Sequence, residues 1–510
     1  MKGRVDTRDR NELVSLLAER AVEQGERLFV SEIKTGTQLS FSELYQAVLD
    51  RQKLLEELGL CAGEKVCLRS RNSLEFMVNF YAILAAGGIV IPVNPDFRDG
   101  EVRYILEDSN AHFLLCETGE LPLTEYERVV KSGEICSDTS FLEVRDGLEE
   151  DVRGDNLTEG TALIMYTSGT TGNAKGVMLT GANLLKEMEN IRDAHLLTGQ
   201  DRVLCVLPWF HINGLVVTML TPLLVGHEIV IAERFSVSQF WKWVTDYKIT
   251  WFSGVPTIYS YLLERRESAD CTSLRFARSA SAPLPVHVLE AFEELYHVPI
   301  IESYGMTEGG SQLTSNPLPP LQRKTGSVGI PFGLEMKIEQ EGSMPCGPDN
   351  PGEVCFRGGS LTKGYYKNPE ATTESFENGW FKTGDLGYVD GDGYLYLCGR
   401  RKELINRSGE KIAPKEIEDI LYRYPGVKLA ACVGVPDPMR GEEIVAFCVP
   451  ENGVALDADE IITFCRRFLA DYKLPKQIFQ LEELPIGGNG GKIQRRKLVE
   501  KYKQIMEDQK

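Results

Sequence analysis

Apolar residues in the first hundred positions follow two alternating periods. Residues 11–24 have apolar positions at helical spacing, and Ser40 is a typical N-cap for a second amphipathic helix. The run at 65–68, which is apolar after Lys65, and the continuous apolar run at 89–93 are typical of buried strands, and residues 76–84 between them have helical spacing. Buried strands that alternate with helices predict a parallel sheet covered by helices on both faces.

The same alternation returns after residue 200. Strands are predicted at 203–207, 228–231 and 251–252, and helices at 215–224, 237–247 and 257–265. A second doubly wound sheet fits this order of elements. Residues 115–156, in contrast, are acidic and weakly patterned, so we interpret them as a surface excursion.

The pattern changes again beyond Gly352, where short strands and turns predict a smaller subdomain. A compact α+β unit follows, with helices predicted at 414–424 and 458–470 and strands at 430–435 and 444–449. We therefore expect an α/β protein with two domains. The large N-terminal domain, residues 1–401, contains two doubly wound sheets and the smaller subdomain, and the small α+β C-terminal domain is residues 402–510.

Composition agrees with a large globular protein and excludes some partners. A chain of 510 residues is too long for one core, and 42% hydrophobic with 26% charged residues is ordinary for such proteins. The net charge of −19 provides no positive field for nucleic acid, so we expect no nucleic-acid partner. An anionic ligand would have to be held by local donors or by a metal ion.

Cysteines and apolar tracts predict a cytoplasmic protein without integral membrane contact. The 12 cysteines have no C-x-x-C pair or fixed spacing, so reduced thiols are expected rather than a zinc site or disulfide scaffold. The first ten residues are charged and lack the apolar stretch of a signal peptide. The longest apolar tract, 203–232, is interrupted by proline, histidine, asparagine and glutamate too closely to predict a membrane span.

A glycine-rich stretch at 166–176 connects two short apolar runs and reads Tyr-Thr-Ser-Gly-Thr-Thr-Gly-Asn-Ala-Lys-Gly. A strand-loop-strand with free backbone N–H groups, hydroxyls and a lysine suits a polyphosphate. It is not the usual P-loop, because Lys175 follows Ala174 and precedes Gly176. A flexible Ser/Thr/Gly linker is the alternative interpretation.

This stretch resembles the phosphate loop of the acyl-adenylate-forming superfamily, which includes acyl-CoA synthetases, luciferases and the adenylation domains of peptide synthetases. Further blocks typical of the family recur in its order over nearly the whole chain. The resemblance implies a mobile C-terminal domain that carries the catalytic lysine and the thioesterification loop. It also implies that ATP is bound by Thr167, Ser168, Gly169, Thr170, Thr171, Gly172 and Lys175.

A second block, Glu-Ser-Tyr-Gly-Met-Thr-Glu at 302–308, follows a predicted strand. Ligands bind at such strand ends, where Thr307 could offer a hydroxyl to a phosphate and Glu308 a carboxylate to Mg²⁺. A glutamate that compensates a helix dipole is the alternative for Glu308. The resemblance implies that Thr307 contacts the α-phosphate and that Glu308 is the metal ligand. It adds to the ATP site Glu302, Ser303 and Tyr304.

The nucleoside site is assigned by resemblance as well. Small residues at 279–284 could simply let the next helix pack closely. In the family this stretch lines the adenine site, which the resemblance places here at Ser281 and Ala282. Thr-Gly-Asp at 383–385 alone indicates only a turn. In the family its aspartate, here Asp385, accepts hydrogen bonds from the ribose hydroxyls and is joined there by an arginine, here Arg400.

The C-terminal domain contributes three further assignments by resemblance. Lys402 matches the hinge of domain rotation. The loop that acts in thioester formation matches Ser408, Gly409 and Lys411, although a plain turn before a helix would have the same composition. The glycine-rich and basic stretch 487–497 could be a nucleic-acid tail, but its Lys492 matches the lysine that bridges carboxylate and α-phosphate oxygens. Asn489 to Gly491 depart from the commoner family residues.

The substrate pocket is the part that the sequence describes least. His211 and Asn213 lie in a block that borders the carboxylate pocket in the family, although a core histidine is the usual alternative. The other candidates for the pocket are Ser303, Met306 and Ser311. Residues 314–319 resemble oxalyl-CoA and malonyl-CoA synthetases, yet Ser303 and Ser311 supply no cation and 209–215 is mainly apolar. Because an unpaired second carboxylate would be costly to desolvate, a small to medium monocarboxylate is predicted.

Together the blocks imply an ATP-dependent carboxylate–CoA ligase. It would form an acyl-AMP intermediate with release of pyrophosphate and then an acyl-CoA thioester with release of AMP, using ATP, Mg²⁺ and CoA. One alternative is a stand-alone adenylating enzyme that loads a carrier protein. Another is a non-catalytic protein on the same fold, which would be expected to have lost Lys492, Glu308 or Asp385, and all three are present.

Overall fold

The computed structural model describes residues 11–117, 129–136, 139–144, 158–167, 174–267, 269–340, 346–348, 350–451, 454–487 and 492–508. Side chains are described in these ranges except at 129–136, 139, 141–144, 486, 487 and 492.

One sheet of the N-terminal domain is parallel through most of its width. Its strands lie in the order Ile330–Pro331, Thr314–Ser315, Ile300–Tyr304, Phe276–Ser279, Trp251–Gly254, Arg202–Cys205, Glu228–Ile231, Leu28–Glu32 and Gln38–Ser40. Strands from Ile300–Tyr304 to Leu28–Glu32 are parallel, and those at both edges are antiparallel. Val203 and Leu204 belong to different apolar clusters, as expected for a sheet covered on both faces.

The second sheet carries the flanks of the phosphate loop. Its strands lie in the order Gly364–Tyr365, Lys175–Thr180, Thr161–Thr167, Ile89–Val93, Lys65–Arg69, Phe113–Glu117, Thr139–Val144 and Val129–Cys136. The last two strands lie within 115–156, so the interpretation of that region as a surface excursion is wrong in part. They are antiparallel edge strands, for which no continuous apolar run is needed.

Helices occur where the apolar periodicity predicts them, and the helices Asp99–Ser109 and Gly181–His195 are found in addition. Asn11 caps the first, and Ser40 forms a capping box with Glu43 at the second. The helices have the bounds Glu12–Glu23, Phe41–Glu57, Leu74–Ala85, Asp99–Ser109, Gly181–His195, Thr221–Val225, Phe240–Asp246, Pro256–Arg265 and Val286–Tyr296. One cluster of buried side chains contains residues from both sheets, including Val90 and Val203, and so joins the two halves of the domain.

The apolar tract 203–232 is divided among short elements. The strand Arg202–Cys205 is followed by π-helical turns at Asn213–Leu220, the helix Thr221–Val225 and the strand Glu228–Ile231. The helix predicted at 215–224 is therefore confirmed, with widened turns that begin at Asn213. No helix in the described part of the chain is both long and apolar enough to cross a membrane.

Two five-stranded sheets and a two-stranded one, Ile486–Gly487 with Lys492–Ile493, complete the α/β fold, whose predicted class is confirmed. The subdomain pairs Glu335–Glu339, Gly352–Arg357, Trp380–Val389, Phe376–Glu377 and Leu395–Arg400, and includes the helix Pro369–Ser375. Beyond residue 401 a sheet contains Glu410–Ile412, Ile405–Arg407, Gly441–Pro450, Val427–Asp437 and Gln477–Gln480. It packs with the helices Pro414–Leu421, Ala458–Cys465 and Arg495–Asp508.

Candidate active site

The carboxyl end of the strand Ile300–Tyr304 leads into a 3₁₀ turn, Thr307–Gly309, that holds Glu308. Glu308 is 8% exposed. Its Oε1 accepts a hydrogen bond of 2.8 Å from the Tyr365 hydroxyl, and its backbone carbonyl accepts one of 2.7 Å from the Thr362 N–H. A buried carboxylate held in this way is a hard oxygen donor suited to Mg²⁺. Thr307 is partly exposed beside it.

The residues predicted to contact the ribose lie together in the structure. Asp385 and Arg400 are opposite each other on antiparallel strands, and Arg400 Nε is 3.1 Å from Asp385 Oδ1. The Tyr304 hydroxyl donates a hydrogen bond to Asp385 Oδ2. Burial, and then the charge of Asp385, raise the pKa of Tyr304 well above its ordinary value, so it stays a donor. This cluster can accept hydrogen bonds from a vicinal diol.

The centre of the phosphate loop lies outside the described residues. Ser168, Gly169, Thr170, Thr171 and Gly172 are therefore candidates from the sequence only.

The two flanks of the loop lie on paired strands. Thr167 pairs with Lys175 at the end of the antiparallel strands, and Lys175 Nζ lies 5.3 Å from the Tyr365 ring centroid. The helix Asp99–Ser109 contacts both flanks: the Tyr104 hydroxyl donates to the Ala174 carbonyl at 2.9 Å. From the other flank the Tyr166 hydroxyl donates to the Asp108 carboxylate at 2.6 Å.

The predicted adenine and carboxylate sites adjoin. Ser281 is partly buried with φ of +75°, and its Oγ accepts a hydrogen bond of 3.1 Å from Asn213 Nδ2. Ala282 follows and is also partly buried. Glu302 is buried and accepts a hydrogen bond of 3.2 Å from the Leu284 N–H, and burial raises its pKa to about 7.

Arg278, which the sequence interpretation missed, lies beneath this junction. It is 1% exposed, and its Nη1 donates to Asn213 Oδ1 at 2.7 Å and to Ser253 Oγ at 3.1 Å. Its Nε and Nη2 donate to Gln312 Oε1 at 3.3 and 3.2 Å. Burial lowers the pKa of Arg278 to about 10, so it is charged at neutral pH. An arginine inside the buried strand Phe276–Ser279 is the signal that could have revealed it.

Two other buried groups complete the polar network around Arg278. Glu187 Oε1 accepts a hydrogen bond of 2.6 Å from the Gln312 N–H, and burial raises its pKa to about 8. His195 Nε2 lies 3.1 Å from Gln312 Oε1, and burial, with Arg278 nearby, lowers its pKa to about 3. The side chains that accept hydrogen bonds from Arg278 in the described part of the chain are an asparagine, a serine and a glutamine, and all three are neutral.

The remaining pocket candidates surround the same loop. Ser303 Oγ is 2.9 Å from Ser315 Oγ and is thus paired with the neighbouring strand. The Ser311 hydroxyl is buried, with no hydrogen-bond partner in the described part of the chain. Met306 packs against the apolar cluster that contains Tyr304. His211 is partly exposed, with its ring centroid 4.9 Å from that of Phe210.

The C-terminal candidates lie on turns. Ser408 and Gly409 have φ of +56° and +91° in an exposed turn, and Ser408 N–H donates to the Arg440 carbonyl at 2.7 Å. Lys411 is exposed on the following strand. Lys402 is exposed in the 3₁₀ turn Arg401–Glu403.

The predicted catalytic lysine lies in a small hairpin. The backbone of Lys492 pairs with Gly487, whereas its side chain lies outside the described residues. Arg495 just beyond it anchors this region, since its Nε is 2.9 Å from Glu403 Oε2 and its Nη1 donates to the Cys432 carbonyl at 2.7 Å. Because Glu403 follows Lys402, the ion pair between Arg495 and Glu403 connects the segment just after the hairpin to the predicted hinge.

We expect Lys402→Pro to spare pyrophosphate exchange and to slow thioester release by at least about tenfold, because proline fixes φ at the residue about which the domain is predicted to rotate. Both half-reactions can be measured separately with labelled pyrophosphate and with a thioester assay. Lys402→Ala is the control that removes the same side chain and leaves the backbone free. Unchanged overall turnover of the proline variant would contradict the hinge assignment.

Comparison with known proteins identifies the family. The profile of the AMP-binding enzyme family matches residues 17–366, and that of the AMP-binding enzyme C-terminal domain matches residues 416–490. The predicted boundary between residues 401 and 402 lies between these matches and stays a prediction.

Individual relatives cover nearly the whole chain. The oxalate–CoA ligase of Arabidopsis thaliana is 39% identical over 88% of this chain and 90% of its own length. The sulfoacetate–CoA ligase of Cupriavidus necator is 38% identical over 98% of this chain and 99% of its own. The solved structure of the Bacillus subtilis o-succinylbenzoate CoA synthetase with ATP and magnesium ion has a TM-score of 0.82 and 31% identity, covering 95% of this chain and 98% of that chain. The chain thus belongs to the family of AMP-binding enzymes.

Proposed function

We propose that this protein joins CoA to a small organic acid that carries a second anionic group. The chain is an AMP-forming acid–CoA ligase, as its family and its CoA ligase relatives indicate. The single observation that carries the proposed substrate class is the buried guanidinium of Arg278 next to Asn213. We place the reaction in the cytoplasm, where the free cysteines of the described chain would stay reduced.

A buried charge with only neutral partners is costly, and it is found where a function requires it. Arg278 has neutral hydrogen-bond acceptors, and burial raises the pKa of Glu187 beyond them to about 8. A second anionic group of the substrate at the Asn213 wall would place a negative charge next to the Arg278 guanidinium. A hydrogen bond to a charged group contributes about 1.5–3 kcal/mol.

Arg278 also changes the basis of the monocarboxylate prediction. That prediction rested on the lack of a cation at Ser303 and Ser311, whereas the cation lies on the strand Phe276–Ser279. We therefore replace it with an acid that has two anionic groups. The relatives that act on oxalate and on sulfoacetate support this choice, because both acids are small and carry two anionic groups.

In the proposed mechanism, one carboxylate of the acid attacks the α-phosphorus of ATP, and pyrophosphate leaves to give an acyl adenylate. Asp385, with Arg400 and Tyr304, would hold the ribose, and Lys175 with the phosphate loop would neutralise the triphosphate. Glu308 would hold Mg²⁺, which when bound compensates phosphate charge. The predicted role of Lys492 is to bridge the reacting carboxylate and the α-phosphate oxygens.

The second half-reaction transfers the acyl group to sulfur. The CoA thiol loses its proton to solvent, its sulfur attacks the acyl carbon, and AMP leaves as the C–O bond to the adenylate breaks. Ser408, Gly409 and Lys411 are proposed to border the path of the pantetheine arm, since all three are exposed and the turn at Gly409 has no side chain that would obstruct a passing ligand.

A pyrophosphate-release screen with CoA tests the substrate class. We expect oxalate, malonate or sulfoacetate to exceed acetate, propionate, medium-chain fatty acids and benzoate in kcat/KM by at least about tenfold, the equivalent of one charged hydrogen bond. Preference for a monocarboxylate would overturn the proposed substrate class. Formation of free acyl-CoA, measured in parallel with a holo-carrier protein as acceptor, separates CoA ligation from carrier loading.

A further inference from the structure

We propose that Tyr365 is a positioning residue that fixes the predicted metal ligand Glu308 relative to the phosphate-loop lysine Lys175. No sequence block pointed to this tyrosine. The inference rests on the proposed function for the roles of Glu308 and Lys175. Its geometry stands on contacts of described residues alone.

The first of these contacts comes from strand pairing. Tyr365 ends the two-residue strand Gly364–Tyr365, which pairs antiparallel with the strand Lys175–Thr180, and Tyr365 lies opposite Val177. Side chains two residues apart on a strand point to the same face. Lys175 therefore projects on the side of Tyr365, and its Nζ lies 5.3 Å from the ring centroid. This is within the range of a cation–π interaction.

The second contact reaches the metal candidate. The Tyr365 hydroxyl donates to Glu308 Oε1 at 2.8 Å. Burial, and then the charge of Glu308, raise the pKa of Tyr365 far above its ordinary value, so the hydroxyl keeps its proton. One carboxylate oxygen is thereby fixed in direction, while the ring of the same side chain faces the lysine.

Two hydrogen bonds of Thr362, in the same segment, make this arrangement rigid. The Thr362 N–H donates to the Glu308 carbonyl at 2.7 Å, and the Thr362 hydroxyl donates to the Met178 carbonyl at 2.6 Å. The segment 362–365 therefore holds both the backbone and the carboxylate of Glu308 against the strand that begins at Lys175. A tyrosine can serve both contacts at once, because its ring attracts a cation and its hydroxyl binds a carboxylate.

The test separates the two contacts by measuring ATP binding without acid or CoA. Tyr365→Phe keeps the ring and loses the hydroxyl, so we expect the Mg²⁺ concentration that half-saturates ATP·Mg²⁺ binding to rise about tenfold while ATP affinity in EDTA is unchanged. Tyr365→Leu loses the ring as well, so ATP affinity in EDTA should also fall about two- to fivefold. Calorimetry or fluorescence titration gives both constants.

Tyr296→Phe is the matched control, because it also removes a buried tyrosine hydroxyl. This hydroxyl donates to the Leu262 carbonyl at 3.1 Å, within a different apolar cluster. Tyr296→Phe should alter neither constant. Melting temperatures of the ligand-free variants show whether each is folded. A Glu308→Gln enzyme with and without Tyr365→Phe completes the comparison: in the double variant the second change should have little further effect on the Mg²⁺ requirement.

An unaltered Mg²⁺ dependence in a folded Tyr365→Phe enzyme would overturn the inference, as would equal loss of ATP affinity with and without Mg²⁺. Full additivity of the Tyr365 and Glu308 changes would also overturn it. Failure of the proposed function is a different result, since it would appear as a preference of the unaltered enzyme for a monocarboxylate in the screen.

Discussion

Lys492→Ala is expected to lower the rate of adenylate formation by about 10²–10³-fold, the usual cost of removing one preorganised charge or donor from a transition state. Carboxylate, triphosphate and developing charge are all negative, so a lysine that bridges them stabilises the transition state of adenylate formation. These groups meet only in the first half-reaction, so the lysine is expected to act there alone. Conversion of a supplied acyl adenylate to the CoA thioester should stay near the rate of the unaltered enzyme. Pyrophosphate exchange and single-turnover thioester formation measure the two halves.

Lys497→Ala is the control for Lys492→Ala. It removes the same charge from an exposed position on the helix Arg495–Asp508, a short distance along the chain. We expect it to leave both half-reactions unchanged. If Lys492→Ala slows both halves equally, the assignment of Lys492 to adenylation is wrong, and a general effect on the C-terminal domain would explain the loss.

Arg278→Met should remove the preference for acids with two anionic groups. Methionine replaces the aliphatic part of the arginine side chain and carries no charge, so kcat/KM for the best dianion should fall about 10²-fold, which corresponds to loss of a charged hydrogen bond at the upper end of its range. For a monocarboxylate of the same size, kcat/KM should change much less. The comparison of the two substrates, measured by pyrophosphate release, is the informative quantity.

Arg275→Met is the matched control for Arg278→Met. Arg275 precedes the same strand and pairs with Asp201 at 2.5 Å, with 39% of its side chain exposed, whereas Arg278 is the arginine that donates to Asn213. Because Arg278 is buried, its replacement could also unfold the protein, and Arg278→Lys provides a second variant that keeps the charge. A folded Arg278→Met enzyme must show a changed ratio between the two substrates, whereas a folded Arg278→Lys enzyme should keep most of the preference for the acid with two anionic groups. An unchanged ratio in folded Arg278→Met would show that Arg278 is structural.

Much of the architecture could be predicted because its signals are local. Ser40 and Glu43 are three residues apart and form their capping box within one turn, so the pattern alone places the helix start. The strands at 89–93 and 228–231 could be recognised from apolar runs because every residue in them is buried. The strands Val129–Cys136 and Thr139–Val144 were missed because they pair at a sheet edge and do not need an apolar run.

The candidate site was predicted in blocks but not in its connections. Asp385 and Arg400 came from separate blocks, and their strands bring them to 3.1 Å. Asn213 and Ser281 likewise meet at 3.1 Å, which joins two predicted subsites. The roles of Lys492 and of the residues from Ser168 to Gly172 stay predictions from the sequence.

By itself the sequence determined the α/β class, the order of the elements and the family blocks, because periodicity, capping and loop chemistry depend on neighbouring residues. Only the tertiary structure decided which groups outside those blocks contact the predicted site residues. Arg278 contacts Asn213 across 65 residues of chain, and Tyr365 contacts Glu308 across 57. Such contacts arise from strand order and burial. The residues next to a lone arginine or tyrosine in a strand do not indicate which distant residue it will contact.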